Sequence, residues 1–327
     1  MNDIPVLDIV IVSWNTIEMT TNCLRTLEAE LTSSGICAKV WIVDNNSTDG
    51  SPDAIRASFP EFTLIQNKEN IGFARANNQA IALGTAPYVL LLNSDTIVPA
   101  ASIARLLDYM HQHSDIGAIG PKLVYENGAV QTSVQKVTTP ASQIFYCLCY
   151  YFPPLDRFLR RAFRWRRYRR VSGIHPRTVE LLSAACLLVR REVFDRVGLL
   201  PEQYFLFSEE NDFFWRLKQH RIRSVYYPEV QIIHLLGGSR KSAEAQGMIE
   251  RHFFVSRVRF LKHRYPSQIL FTRLIHTFFL NWSLGYALLS DYFHKRKSEY
   301  PQKYRELCAL LDAELSSREH ESSISPD

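Results

Sequence analysis

The chain has 327 residues, 46% of them hydrophobic, enough to fill the core of one large α/β domain, or of one domain with a substantial extension, and too many for a disordered protein. The formal charge of +5 is mild, yet Arg157, Arg160, Arg161, Arg164, Arg166, Arg167, Arg169 and Arg170 against Asp156 account for more than all of it. Charge gathered in this way points to one anionic partner surface and argues against a generally basic protein. The six cysteines show no paired Cys-x-x-Cys spacing with histidines at zinc distance, and read as reduced thiols of a cytosolic protein. With Asp3 and only a short apolar run at 9–12, neither a signal peptide nor a spanning helix is expected at the start.

In chain order, DIVIVSWN (8–15) and KVWIVDNN (39–46) are β-rich apolar runs ending in polar clusters, with helical periodicity around 20–31 between them. That is a βαβ unit. FTLIQN (62–67) reads as a further strand, followed by a helix with Phe73, Ala76, Asn77, Ala80 and Ile81 at helical spacing, and then by YVLLLNSD (88–95). A strand buried on both faces is continuously apolar, and in open α/β sheets ligands sit beyond the carboxyl ends of such strands. The alternation predicts a mostly parallel sheet with right-handed crossovers and one chemically loaded edge. A helix near 102–113 and a hairpin turn at Glu126-Asn127-Gly128 follow. The pattern breaks over the aromatic, arginine-rich segment 140–172. It resumes with LLSAACLLVRREVFDRVG, FLFSEENDFFWRLKQHR and the strand VQIIHLLGG, before a basic, aromatic C-terminal region whose polar tail after Glu314 reads as disordered.

The strand ends carry chemistry. Asp44 can accept the imide N–H of uracil or thymine, or equally cap the turn of 45–50. Asp95, as a lone strand-end aspartate, would read as a helix cap or turn starter, and His234 as a satisfied structural histidine. Glu209, Glu210 and Asp212 could supply a base, since neighbouring carboxylates raise one another's pKa; alternatively Asp212 caps a helix over 213–218.

Taken together and in this order, VDNNSTDGS (43–51), NIGFARANN (70–78), LLNSD (91–95), SEEND (208–212) and IIHLLGGS (232–239) resemble the inverting family 2 glycosyltransferases, and more narrowly their bacterial rhamnosyltransferase-like branch, over roughly residues 8–259. The resemblance implies an α/β, GT-A type fold: a mostly parallel, Rossmann-like sheet flanked by helices, with a C-terminal helical extension. It implies a nucleotide-sugar-binding half at 1–130, an acceptor-binding, catalytic half at 131–245 with the basic insertion, and a helical region at 246–327. Asp44, Asn46, Arg75, Asn77, Asn93, Ser94 and Asp95 would hold the donor, a dTDP-rhamnose or UDP-sugar. Asp95 matches the last aspartate of the family's Asp-x-Asp motif and with His234 would bind Mn²⁺ or Mg²⁺; Asn93 departs from that motif at its first position. Glu210 is the first choice for the base, with Asp212 and Glu209 beside it. The Gln-x-x-Arg-Trp signature of processive synthases is absent, which favours transfer of a single sugar.

The resemblance also implies a lipid-linked or other glycan acceptor. A basic amphipathic stretch at 155–170 then suits an anionic membrane surface, making the protein peripheral on the inner face of the cytoplasmic membrane. The apolar run at 269–293 is broken by Arg273, His276 and Asn281 and is expected to be interfacial, dimer-forming or core-packed rather than spanning. A homo-oligomer stays open, and nothing resembles a nucleic-acid module. Two rivals remain: a nucleotide-sugar or dinucleotide oxidoreductase, disfavoured because the first βα turn lacks Gly-x-Gly-x-x-Gly, and a catalytically degenerate, membrane-associated assembly partner, raised by Asn93 and by Glu210 where the family commonly has aspartate.

Overall fold

A computed structural model describes residues 4–151, 174–235, 243–294 and 300–316. The arginine-rich run at 155–170, the Gly237-Gly238-Ser239 loop and the tail beyond Ser316 lie outside these residues. The chain divides into two units, Met1–Val137 with Arg164–Glu250 and Thr138–Phe163 with Arg251–Asp327.

In the first unit, β1 (Leu7–Ser13), α1 (Ile17–Ser34), β2 (Ala38–Asp44), α2 (Ser51–Ser58), β3 (Thr63–Gln66), α3 (Phe73–Leu83) and β4 (Tyr88–Asn93) alternate as the periodicity predicts. Next come β5 (Thr96–Ile97), α4 (Ser102–Gln112), β6 (Ile116–Val124) and β7 (Val134–Gln135). Helix α5 (Pro140–Tyr151) opens the segment where the alternation breaks. Then follow β8 (Arg177–Thr178), β9 (Leu181–Leu182), β10 (Cys186–Arg190), α6 (Arg191–Val197), α7 (Glu209–Gln219) and β11 (Arg223–His234). The sheet order is β3-β2-β1-β4-β10-β6-β11-β5. Strands β3, β2, β1 and β4 are parallel, as are β6 and β11, but β10 runs antiparallel between β4 and β6. Apolar content marks β10 as buried without giving its direction, so that reversal was not legible.

Register places the polar strand ends in a row. Ser13 lies opposite Asp44, Asp44 opposite Gln66, and Val12 opposite Asn93. Beneath them Leu7, Ile9, Ile11, Leu24, Leu27 and Ile42 are fully buried, each stabilising the fold by about 1.5–3 kcal/mol. At the opposite end of β1, buried Asp8 accepts hydrogen bonds from Arg191 Nη2 at 2.6 Å, the Ala86 amide at 2.8 Å and Trp41 Nε1 at 2.9 Å. Gly84 leaves room for this carboxylate, which a Cβ there would meet at 2.3 Å. Buried Glu30 of α1 plays a similar part for α4, accepting the Ile103 and Ala104 amides at 3.0 and 3.2 Å where the helix dipole favours a negative charge.

The second unit contains α5, the α8 helix (Ala243–Arg264) from Arg251 onward, α9 (Ile269–His294) and α10 (Tyr300–Ser316) around Phe254, Val258, Ile275, Phe279, Leu280, Leu307 and Leu311. Helix α10 continues two residues past Glu314, where the sequence predicts a disordered tail; Arg259 grips Glu314 with two bonds of 2.8 and 2.7 Å. Helix α9 buries Thr272, Ile275, His276, Phe279 and Leu280 but exposes Leu270, Leu274, Phe278 and Trp282 by 53–66%. Core packing and an exposed apolar face thus coexist on one helix. Among the described residues no helix is long and apolar enough to cross a membrane.

Candidate active site

Asp44 ends β2 with no exposed surface. Its Oδ2 accepts the Ser47 amide at 2.9 Å, so it does cap the following turn, while its Oδ1 is buried with no hydrogen-bond partner. A buried acceptor left in that state costs about 1–3 kcal/mol, and a ligand N–H would recover it. The turn is held from across the sheet edge by Asn15, whose amide donates to Ser47 Oγ and whose Oδ1 accepts the Thr48 amide, both at 2.8 Å. Asn46 is exposed in left-handed backbone with φ of 66°.

The residues expected beside the nucleotide on α3 have further partners. Exposed Arg75 donates to Glu202 at 3.2 Å, and Asn78 donates to the same carboxylate at 3.0 Å and to the Leu200 carbonyl at 2.8 Å. Asn77 is buried and donates to Phe73 O of its own helix at 2.8 Å. Gly72, with φ of 86°, precedes the helix where a Cβ would come within 2.6 Å of Phe205 O. The Phe73 amide donates to that oxygen at 2.9 Å. Three of the motif's polar groups therefore tie down the 200–205 segment or the helix itself, a role visible only once Glu202 and Phe205 arrive from more than a hundred residues away.

Beyond β4, Asp95 lies in a turn whose carbonyl accepts the Leu235 amide at 2.9 Å, fastening it to the end of β11. Ser94 Oγ is 3.4 Å from Thr16 Oγ1. Asp95 Oδ1 is 3.1 Å from His234 Nε2, and Asn93 Nδ2 is 3.4 Å from the same nitrogen. Buried Gln131, which the sequence reading missed, sets the ring. Its amide nitrogen donates to the Val124 carbonyl at 3.3 Å and to the His234 carbonyl, so its Oε1 is left to accept from His234 Nδ1 at 3.0 Å. That fixes the hydrogen on Nδ1 and turns the Nε2 lone pair toward Asp95. Two lone pairs facing each other suit a cation between them. Adjacent ligands about 2.1 Å from one octahedral ion lie about 3.0 Å apart, so the pair fits a shared divalent cation. Among the described residues no third His, Cys, Asp or Glu joins them. The fit is therefore to an ion that completes its shell with water and substrate oxygens.

The acidic cluster begins α7. Glu209 is 4% exposed and its Oε2 has no hydrogen-bond partner; Glu210 is more open, and its Oε1 accepts the Ala184 amide at 3.4 Å. Burial raises both carboxyls, Glu209 well above the ordinary range with the neighbouring Glu210 adding to the effect. Asp212 does not cap a helix starting at Phe213. It lies inside the first turn, fully buried, accepting from Tyr204 Oη at 3.0 Å and paired with Arg216 Nε at 3.2 Å. Of the three, Glu210 is half-buried and the other two are buried. Ala184 and Ala185 bring the halves of the site together, because the amide of the first donates to Glu210 and the carbonyl of the second accepts the Asn93 amide at 3.0 Å.

The family model described as Glycosyl transferase family 2 matches residues 8–198. The chain belongs to this family. It is 31% identical over 208 residues, 60% of its length, to an N-acetylglucosaminyl-diphospho-decaprenol L-rhamnosyltransferase of Mycobacterium tuberculosis, and spans 66% of that relative. A low-salt glycan biosynthesis hexosyltransferase of Haloferax volcanii is 24% identical, with 62% of this chain and 60% of the relative covered. Among solved structures, a mannosyltransferase from Pyrobaculum calidifontis in complex with GDP-Man and Mn²⁺ superposes with a TM-score of 0.56 at 16% identity, covering 95% of this chain and 85% of the other. The fold of this family 2 chain is thus of the GT-A type, a mostly parallel sheet flanked by helices with a helical C-terminal region.

Proposed function

We propose that this family 2 chain is a metal-assisted inverting glycosyltransferase that moves one sugar, L-rhamnose from dTDP-rhamnose, onto a lipid-linked glycan acceptor. The observation that carries the reading is the Ala184-Ala185 contact, which ties the half-buried Glu210 to the strand end bearing Asn93, Ser94 and Asp95. The unpartnered Asp44 Oδ1 accepts the thymine imide N–H, and Asn46 borders the base from the turn. Asp95 and His234 hold Mn²⁺ or Mg²⁺, with Asn93 beside them. When bound, that ion neutralises the charge of the departing diphosphate.

Glu210 takes the proton from the acceptor hydroxyl as its oxygen attacks the anomeric carbon, while the bond from that carbon to the diphosphate oxygen breaks on the opposite side. The raised carboxyl brings this base closer to the pH at which it works. Burial and the neighbouring Glu210 raise the Glu209 carboxyl and so favour its neutral form beside the base. Asp212 positions α7 through Tyr204 and Arg216.

The reading includes a peripheral place on an anionic membrane, supported by the exposed face of α9 and by cation clusters beside it in sequence, Lys262-His263-Arg264 and Lys295-Arg296-Lys297. The test is calorimetric binding of dTDP, UDP and GDP with and without Mn²⁺ or Mg²⁺, paired with sugar transfer by Glu210→Gln. Metal-dependent preference for dTDP and loss of transfer by 100-fold or more, the scale of general-base catalysis, are expected. Preference for UDP would replace rhamnose by a UDP-hexose, and binding of none of the three would favour an assembly partner without catalysis.

A further inference from the structure

Glu210, Phe214, Leu217 and Arg221 follow one another at intervals of four, three and four residues, so one face of α7 and its C-terminal turn carries all of them. Glu210 opens this face and Arg221 closes it at a cavity of about 1030 Å³, while Phe214 and Leu217 between them are packed inward and the accessible flank of the helix is that of Asn211, Trp215 and Lys218. Lys136, Arg177, Lys218, Arg221 and Arg223 line this cavity against one carboxylate, Glu180, while Val134, Phe214, Leu217 and Ile222 give it an apolar floor. Three of the cations are engaged. Lys218 pairs with Glu180 at 3.4 Å, Arg223 with Asp115, and Arg177 stacks over Tyr226 at 4.9 Å. Lys136 and Arg221 are exposed, and among the described residues neither has an ion-pair partner.

Arg221 occupies an unusual position for an arginine. The Ile222 amide donates to Leu217 O at 2.9 Å and the Arg221 amide to Lys218 O at 3.2 Å, a Schellman ending whose left-handed residue is most often glycine. Here φ is 54° and the residue is arginine, so a guanidinium stands at the cavity despite the strain of its backbone. Lys218 is eight residues from Glu210, or about 12 Å along the helix. The ribbon of β7 and β9 covers a similar span, from Ser183 beside the Ala184 contact to Glu180 in the cavity wall, at about 3.3 Å per residue.

We propose that this cavity holds the anionic linker of the acceptor, a diphosphate ester. The saccharide runs back along the accessible flank of α7, past Lys218, Trp215 and Asn211, to place its hydroxyl at Glu210, and the apolar side of the cavity receives the first carbons of the lipid. Rigid elements fix the spacing: a short saccharide bridges linker and base, so the cavity measures which sugar of the acceptor is presented. This rests on the proposed lipid-linked acceptor.

The test is calorimetry in excess chelator, without divalent metal, using geranyl diphosphate and inorganic pyrophosphate as probes. Wild-type protein, Lys136→Gln with Arg221→Asn, and Asp95→Asn are compared; asparagine is chosen at 221 because it tolerates left-handed backbone. Wild type and Asp95→Asn should bind geranyl diphosphate alike and more tightly than pyrophosphate, and the double variant at least tenfold more weakly. Absence of binding to wild type, unchanged binding in the double variant, or loss in Asp95→Asn would each overturn the proposal. So would equal binding of dihexanoyl phosphatidylglycerol, which would make the cavity a site for bulk lipid headgroups. Failure of the glycosyltransferase reading looks different: metal-dependent nucleotide binding would be missing while geranyl diphosphate still bound through Lys136 and Arg221.

Discussion

Replacing Gln131 by leucine should loosen the divalent cation at Asp95 and His234 while leaving nucleotide recognition at Asp44 untouched. Gln131 is 4% exposed, and it sets which imidazole nitrogen carries hydrogen: its Oε1 accepts from His234 Nδ1 at 3.0 Å while its amide nitrogen serves two carbonyls. Leucine fills similar space but offers nothing to Nδ1, so the ring can rotate or change tautomer, and Nε2 is no longer held 3.1 Å from Asp95 Oδ1. Loss of such an outer partner typically weakens metal binding 10–100-fold, or about 1.4–2.7 kcal/mol. The two carbonyls and Nδ1 left without their partner should lower stability by about 2–4 kcal/mol, so folding must be checked by circular dichroism and thermal melting. The assay is titration of Mn²⁺ followed by electron paramagnetic resonance, with saturating dTDP or UDP. Gln131→Glu, which keeps the acceptor for Nδ1, should recover part of the affinity. Folded Gln131→Leu that binds Mn²⁺ within about twofold of wild type would refute the role of the ring orientation.

At the base-reading position, Asp44→Asn keeps an oxygen for the Ser47 amide but presents NH₂ where the orphan Oδ1 stood, setting donor against donor for uracil or thymine. Loss of a charge-assisted bond of about 1.5–3 kcal/mol predicts UDP or dTDP binding weakened about 10–150-fold by calorimetry, and unchanged affinity would remove Asp44 from the site. Glu209→Gln should alter how stability depends on pH. Burial raises Glu209 above 4.5, so its contribution is complete below the unfolded value and is lost as pH rises through the folded one. As pH rises above about 4.5 wild type should lose stability relative to the glutamine variant, and melting curves that stay parallel with pH would contradict the assignment. On α9, Phe278→Glu with Trp282→Glu should abolish cosedimentation with vesicles containing phosphatidylglycerol, without loss of nucleotide binding. Vesicle binding equal to wild type would move the membrane contact elsewhere.

Much of this protein is written locally. Continuous apolar runs bounded by polar residues specify β1, β2, β3 and β4 and the helices between them, because strand burial and helical periodicity are properties of neighbouring residues. The polar strand ends Asp44, Asn93, Asp95 and His234 were legible for the same reason, each marking where an apolar run stops. Long-range pairing decided the rest. The antiparallel course of β10 follows from register, which apolar content does not encode. Glu202 takes Arg75 and Asn78 from 127 and 124 residues away, Gln131 orients His234 from 103 away, and the Ala184 amide reaches Glu210 from 26 away. In the acidic cluster, three adjacent carboxylates that look interchangeable in sequence become distinct. One helical turn sends Asp212 to Tyr204 and Arg216, buries Glu209 with its Oε2 unpartnered, and leaves Glu210 half-buried. Which carboxylate can act is a matter of solvation and of partners met across the fold, and those exist only once the chain has closed on itself.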